Sequence, residues 1–201
     1  SYTSAKGDDF GALSVRDTSG SAVNLSFTNN TSSGKAGALG LDSAILTLTD
    51  ARFSNNSAAG FGGAIRLWGA SASESSALTL TTKRDLTYAG NKAGQGKTAV
   101  SGATALGARY EDMGGFAHLQ GNSTLTLTAD ANTTLTIGET GAAQTAGLDS
   151  ITTTGSNNNL VINGKGTVNL NGSLESFVGA ITVSSGTVNM ATGFGSIDTT
   201  T

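Results

Sequence analysis

A short pattern that recurs at a constant distance most constrains the fold of this chain. Each copy has an aromatic residue, an Asn three positions later and, seven positions beyond the Asn, a small residue followed by Ala and an aliphatic residue. The aromatic and Asn residues of the three copies are Phe27 with Asn30, Phe53 with Asn56, and Tyr88 with Asn91. The first two copies are separated by a spacing of 26 (53 − 27 = 26). A fixed period of this length predicts a solenoid, in which every repeat packs on the next.

The composition favours strands over helices. The 201 residues include 29 Gly, no Pro and no Cys, and only 12% are charged. Short segments alternate Thr, Ser or Asn with aliphatic residues, which suits strands joined by tight turns. These segments are 23–27, 45–49, 78–80, 125–127, 135–137, 160–162, 168–170, 181–183 and 188–190. Each offers only two or three inward apolar positions, which is too few for a sandwich strand but enough for one side of a β-helix coil.

We therefore predict an all-β fold, a single-stranded parallel β-helix that forms one domain over residues 1–201. The period of 26 applies to the part of the chain from 1 to 115. The part from 116 to 201 carries the phrase Gly-Thr-Val-Asn at 166–169 and again at 186–189, a spacing of 20 (186 − 166 = 20), and predicts shorter coils. Periods of about 20 to 26 residues give about eight coils. The third copy carries nine additional residues, which we expect to form a loop at 68–76.

The repeated residues suit a structural role. An Asn at the same corner of successive coils can hydrogen-bond both the turn backbone and the Asn of the next coil, which produces a ladder. The aromatic residue can stack in the core, and small Gly and Ala residues allow close approach of the next strand. We expect the coils to be held together in this way by Phe27, Asn30, Phe53, Asn56, Tyr88 and Asn91.

Charge and motif content argue against several classes of function. The net charge of −3, with Lys and Arg scattered singly, predicts neither nucleic-acid binding nor an anionic membrane partner. No apolar run reaches the length of a membrane helix, so we expect no direct membrane insertion by this segment. The absence of Cys and the single His argue against a metal site of Cys or paired His ligands. We predict no metal and no cofactor.

Two features that suggest chemistry have structural interpretations. Residues 90–98 end in Gly-Lys-Thr like a phosphate-binding loop, but Asn91 stands where that motif requires Gly. His118 aligns opposite Arg66 at an outward strand position, where we expect a solvated imidazole. No Gly-x-Ser-x-Gly turn accompanies it. We predict no catalytic residues and no enzymatic activity.

The repeats resemble those of a known class of protein. Residues 53–56 and 62–65, which read Phe-Ser-Asn-Asn and Gly-Gly-Ala-Ile, are similar to repeats of bacterial autotransporter passenger domains, including the polymorphic outer-membrane proteins. Residues 160–190 resemble the passenger-associated repeat near the translocator end of such proteins. The resemblance implies a right-handed, pectin lyase-like β-helix. It also implies export through the outer membrane, with the chain being a passenger segment displayed on the bacterial cell surface or secreted.

The same resemblance implies adhesion or aggregation. We expect a non-catalytic adhesin or structural stalk that binds host or neighbouring-cell glycans or proteins, with self-association as a further interaction. The alternative is a polysaccharide-degrading β-helix enzyme, either a lyase or a glycoside hydrolase. Such an enzyme needs several acidic residues on one outer face. Here Asp17 aligns with Ser43 rather than with another carboxylate (17 + 26 = 43).

Binding residues are expected where the repeat is interrupted, because loops on a rigid scaffold often carry binding functions. Tyr and Arg suit partner contacts, and a Trp can stack on a sugar ring. The loop candidates are Trp68, Arg109, Tyr110, Glu111 and Asp112. Ice binding is a third class of function, suggested by the regular Thr positions of 124–128 and 133–136, since flat Thr arrays occur on ice-binding β-helices. The irregular repeat lengths argue against a surface matched to a lattice.

Overall fold

The computed structural model describes residues 3–4, 11–94, 113–139, 148–174 and 176–191. The described residues form twenty short strands: β1 (Thr3–Ser4), β2 (Leu13–Arg16), β3 (Ser19–Val23), β4 (Ser26–Thr28), β5 (Thr31–Ser32), β6 (Leu39–Asp42), β7 (Ile45–Thr49), β8 (Arg52–Ser54), β9 (Ser57–Ala58), β10 (Ile65–Gly69), β11 (Ser76–Thr82), β12 (Leu86–Tyr88), β13 (Ala117–Gly121), β14 (Ser123–Ala129), β15 (Thr134–Ile137), β16 (Ile151–Thr154), β17 (Asn158–Gly164), β18 (Thr167–Leu170), β19 (Ala180–Val183) and β20 (Thr187–Met190).

The strands assemble into parallel sheets. The two largest are a five-stranded sheet, β2-β6-β10-β13-β16, and a six-stranded sheet, β3-β7-β11-β14-β17-β19. A four-stranded sheet, β12-β15-β18-β20, and two smaller sheets, β4-β8 and β1-β5-β9, complete the set. The chain passes from the five-stranded to the six-stranded sheet and returns, so that neighbours in a sheet are never neighbours in sequence. The prediction of an all-β fold is confirmed, and the repeated strand order is compatible with a β-helix.

The spacing between paired residues varies along the chain. Leu39 pairs with Leu13 and with Ile65, at the same spacing in each direction (39 − 13 = 26 and 65 − 39 = 26). In the six-stranded sheet, Leu125 pairs with Leu160 at a spacing of 35 (160 − 125 = 35), and Leu160 pairs with Ile181 at a spacing of only 21 (181 − 160 = 21). The expectation of shorter repeats after 115 therefore holds only for the last pairing of this sheet and for the last pairing of the four-stranded sheet, where Thr167 pairs with Thr187 at a spacing of 20 (187 − 167 = 20). The longer spacing leaves the register of the sheet intact.

The nine additional residues of the third repeat divide between two connections. Trp68 pairs with Asp42, and Ala77 pairs with Ile45. Trp68 and Ala77 are nine positions apart, whereas their partners Asp42 and Ile45 are three apart. Six residues are therefore added in the loop at 70–75 (9 − 3 = 6). The other three (9 − 6 = 3) lie between β11 and β12. The predicted loop at 68–76 is thus too long, and Trp68 belongs to strand β10.

The corners between strands recur with the repeat. Several corner residues other than Gly have positive φ, a conformation that Asn and Asp adopt more readily than most residues. Pairs of them recur at the spacing of the first repeats (43 − 17 = 26): Asp17 and Ser43, Asn24 and Asp50, Asn29 and Asn55. Asn24, with φ of 58°, also ends β3 before β4 begins, so the predicted strand at 23–27 is divided there.

The core is built from columns, by which we mean positions that lie side by side on neighbouring strands. Under the six-stranded sheet, Leu46, Leu78, Leu125 and Leu160 form one such column and are all buried. Burial of each Leu side chain contributes about 1.5–3 kcal/mol to the stability of the folded state. The repeated aromatic residues form a second part of the core, in which the Phe27 and Phe53 rings are stacked at 4.9 Å and Tyr88 meets Phe53 edge-on at 5.5 Å.

Candidate functional site

The three repeated Asn residues are hydrogen-bonded in series. The side-chain amide of Asn30 donates to Oδ1 of Asn56 at 2.9 Å, and that of Asn56 donates to Oδ1 of Asn91, also at 2.9 Å. The backbone N–H groups of Asn30 and Asn56 donate to the same two oxygens at 3.1 Å. All three residues are buried. We call this series, together with its last member described next, the Asn ladder.

The Asn ladder ends at Asp149, which sequence reasoning did not single out. Its Oδ1 accepts from the backbone and the side chain of Asn91, both at 2.9 Å, and its Oδ2 accepts from the backbone of Gly90 at 2.8 Å. Burial raises the pKa of Asp149, and the hydrogen bonds from Asn91 and Gly90 oppose that rise. No aromatic residue stands three positions before Asp149, so the sequence pattern gave no signal for it.

A different set of side chains lies in register on the outer face of the five-stranded sheet. Arg16 pairs with Asp42, Asp42 with Trp68, Trp68 with Gln120, and Gln120 with Thr154. We call these five residues the tryptophan column. Because neighbouring strands lie about 4.8 Å apart, the column extends over about 19 Å. In the described part of the chain it combines an aromatic ring with a guanidinium, a carboxylate, an amide and a hydroxyl.

Both ends of the tryptophan column are exposed, whereas the residues between them are buried or half-buried. The Arg16 guanidinium contacts the Asp42 carboxylate at 2.7 Å, with 62% of the Arg16 side chain exposed and 7% of the Asp42 side chain. Trp68 and Gln120 are half-buried, and Thr154 is exposed. The column therefore presents one partly accessible indole between a carboxylate and an amide.

Arg66 supports the centre of the column from the next outward position on β10, two residues before Trp68. Its side chain is buried, and its Nη2 donates to Oε1 of Gln120 at 2.7 Å. Its Cζ lies 5.9 Å from the centre of the Trp68 ring, within the range of a cation–π interaction. One buried cation thus holds both the amide and the indole, which limits the conformations they can adopt before a ligand binds.

His118 is buried, so the prediction of a solvated imidazole is wrong. It does pair with Arg66 in the register that the sequence predicts. However, the Phe61 ring stacks on it at a centroid distance of 4.4 Å, and the hydroxyls of Thr152 and Thr154 lie 2.8 and 3.1 Å from its two ring nitrogens. Burial, with a smaller effect of the Arg66 charge, lowers the pKa of His118 to about 3. The imidazole is therefore neutral at physiological pH.

Of the five predicted loop candidates, the described residues include only Trp68. Trp68 lies within a strand rather than in a loop. Residues 109–112, which contain the other four loop candidates, lie outside the described residues, as do 95–98 of the segment that resembles a phosphate-binding loop. Phe116, which the repeat pattern does not include, stacks on Tyr88 at 5.3 Å.

Among the described residues, no group of three or more His, Asp or Glu side chains is placed to hold a metal ion. No helix in the described part of the chain has both the length and the apolar character needed to cross a membrane. No protein-family model, curated protein or solved structure matches the chain.

Proposed function

We propose that the chain is a single-stranded, right-handed parallel β-helix of about eight coils and that it acts as a non-catalytic adhesin. The recurring strand order and the in-register columns support the solenoid. In this proposal the tryptophan column is the binding site and a glycan is its ligand. The Asn ladder and the aromatic stack hold the coils together and take no part in binding.

The observation that carries the proposal is the half-buried Trp68 between Asp42 and Gln120. The apolar faces of a sugar ring can lie against an indole, while its hydroxyls exchange hydrogen bonds with carboxylate and amide groups. Arg66 restricts both the indole and the amide in advance, and such preorganisation lowers the entropy lost on binding. The column is long and shallow, which suits a chain of several sugars.

The same face supports a binding role better than a catalytic one. Glycoside hydrolysis requires two carboxyl groups placed about 5–10 Å apart. The tryptophan column contains one carboxylate, Asp42, and that group is engaged with Arg16. His118 beside it is buried and neutral, with both ring nitrogens facing hydroxyl groups. A carboxylate committed to a cation and an enclosed imidazole are poorly placed for proton transfer to a substrate.

The proposal is tested by comparing the binding of the unsubstituted protein and of Trp68→Ala to a glycan array. We expect at least a tenfold loss of affinity, equivalent to about 1.4 kcal/mol. The control is Thr87→Ala, an exposed residue of the four-stranded sheet, which should bind as the unsubstituted protein does. Equal binding by Trp68→Ala would refute the column as the site. Cleavage of a bound polysaccharide would favour the enzymatic alternative instead.

Surface display forms the second part of the proposal. We propose that the chain is the passenger segment of an autotransporter, displayed on the bacterial cell surface or secreted through the outer membrane, with cell-surface glycans or proteins as partners and self-association as a further interaction. The support is the repeat pattern of the sequence. Protease treatment of intact cells that express the complete gene tests it, because a displayed segment is digested without lysis. Full protection of the segment would contradict it.

A further inference from the structure

The outer face of the six-stranded sheet carries a regular set of threonines. Three neighbouring strands each contribute two of them, two positions apart: Thr47 and Thr49 on β7, Thr79 and Thr81 on β11, and Thr126 and Thr128 on β14, which also carries an outward Thr124 beside Ala77. We call these six residues the threonine face. All six are half-buried, and their neighbours within the strands point into the core.

The threonine face forms a two-dimensional grid. Thr79 pairs with Thr47 on one side and with Thr126 on the other, and Thr81 pairs likewise with Thr49 and Thr128. Strand geometry places the grid points about 4.8 Å apart across the strands and about 6.7 Å apart along them. The face therefore repeats in both directions with little variation.

The irregular repeat lengths do not disturb this grid. Thr79 lies beside both Thr47 and Thr126, although the two intervals along the chain are unequal (79 − 47 = 32 and 126 − 79 = 47). The additional residues between Thr47 and Thr79 leave the sheet before β11 begins, at 70–75. Unequal repeat lengths therefore do not prevent a regular surface here, which removes the ground for the sequence argument against one.

A column of identical side chains lies beneath the grid. The interior column that contains Leu78 and Leu125 places identical side chains over one another. Side-chain ladders of this kind are among the features that hold a sheet flat over several strands. The β-branched Thr side chains add to the stiffness, since few χ1 rotamers are open to them.

The face is also uncharged. Outward positions on the flanking strands β3, β17 and β19 are Ser, Thr, Asn, Ala or Val. Exposed sheet surfaces of soluble proteins usually mix charges of both signs. A neutral grid of hydroxyl and methyl groups suits a partner that is itself neutral, both donates and accepts hydrogen bonds, and repeats in two dimensions.

We propose that the threonine face binds ice. Each Thr hydroxyl offers one donor and two acceptor positions, as a water molecule in ice requires of its neighbours. Hexagonal ice repeats its oxygen atoms on a prism face at a spacing close to that across the strands and at a somewhat longer spacing than that along them. Thr methyl groups between the hydroxyls favour ordered water over them. This surface is separate from the tryptophan column, so the inference does not depend on glycan binding.

Ice recrystallisation inhibition and thermal hysteresis test the proposal directly on the purified protein. We expect activity in the unsubstituted chain and at least a tenfold loss in Thr79→Lys and in Thr126→Lys, each of which puts a long charged chain into the grid. Thr87→Lys on the four-stranded sheet is the matched control, and it and Trp68→Ala should both retain full activity. Thr79→Ser, which keeps the hydroxyl without the methyl, should retain part of it. The urea midpoint of every variant verifies folding.

Three results would overturn the proposal. The first is an unsubstituted protein without effect on ice growth. The second is folded Thr126→Lys with unchanged activity. The third is a dimer of the unsubstituted chain that Thr126→Lys converts to a monomer, since the face would then be an interface between copies. Loss of glycan binding in Trp68→Ala with intact ice activity would separate this inference from the proposed adhesive function.

Discussion

The Asn ladder makes a quantitative prediction about stability through its central member, Asn56. Substitution of Asn56 by Ala removes four hydrogen bonds at once. The amide oxygen accepts from the backbone and the side chain of Asn30 at 3.1 and 2.9 Å. The amide nitrogen donates to the carbonyl of Phe27 at 3.0 Å and to Oδ1 of Asn91 at 2.9 Å. Water cannot replace these bonds easily, because Asn56 is fully buried.

The magnitude follows from the number of bonds and their burial. A hydrogen bond contributes about 0.5–1.5 kcal/mol net, so four of them contribute about 2–6 kcal/mol. We expect Asn56→Ala to lower the free energy of unfolding by about 4 kcal/mol. That loss is large beside the total stability of a folded domain, which is about 5–15 kcal/mol.

Urea denaturation followed by far-UV circular dichroism measures this loss. The matched control is Asn169→Ala, which removes one bond to Thr136 and one from Asn189 in a half-buried ladder at the opposite end of the chain. We expect the control to lose less than about 1.5 kcal/mol, because water can take the place of the missing partners. A loss below about 1 kcal/mol for Asn56→Ala would refute the reasoning that the repeated Asn residues stabilise the stack.

Three further changes test other parts of the fold. The pKa of His118 falls from 6.5 to about 3 on folding, so between these pH values only the unfolded chain binds the proton. The free energy of unfolding should therefore drop by about 1.4 kcal/mol for each pH unit of acidification in this range. His118→Gln should remove this pH dependence from urea curves recorded at pH 7, 5 and 4. Gly37→Ala would press a Cβ against the carbonyl oxygen of Gly63 and should lower the thermal midpoint by more than about 8 °C, whereas Gly20→Ala, whose Cβ would lie 3.8 Å from its nearest neighbour, should change it by less than about 4 °C. Arg16→Ala should lower the free energy of unfolding, measured by urea denaturation, by less than about 1 kcal/mol, because the Arg16 side chain of the ion pair with Asp42 is largely exposed. A larger loss would mean that Arg16 has a structural role.

The sequence predicts much of the strand content because the local signals agree. In strands β11 and β14, the alternation of Leu and Thr predicts both the strand itself and the face that points inward. The observed burial alternates along both strands as this pattern predicts. The pairing of Arg66 with His118 could also be predicted, since similar phrases surround both residues. Such inferences need only the two-residue period of a strand and the similarity of one repeat to another.

The burial of His118 could not be predicted in the same way. Strand alternation correctly gives it an outward position, but the cover comes from Phe61, which lies in the connection between β9 and β10. Contacts between a connection and a distant strand depend on where the connection folds back, and a local pattern does not contain that information. For the same reason the sequence placed Trp68 in a loop, although its strand partners Asp42 and Gln120 keep it in the sheet.

Asp149 suggests why the aromatic and Asn pattern stops after its third copy. Each Asn of the ladder donates toward the next, so all the amide dipoles point their positive ends at Asp149. A carboxylate only accepts hydrogen bonds, and it therefore ends such a series without leaving a donor unsatisfied. The aligned dipoles favour its negative charge and offset part of the penalty of burial, as backbone dipoles do for anions at a helix N-terminus. The side chain of Asp149 could not donate to the amide oxygen of a further Asn beyond it. In the rest of the chain a separate ladder is present, in which Asn189 donates to Asn169 and Asn169 donates to Thr136.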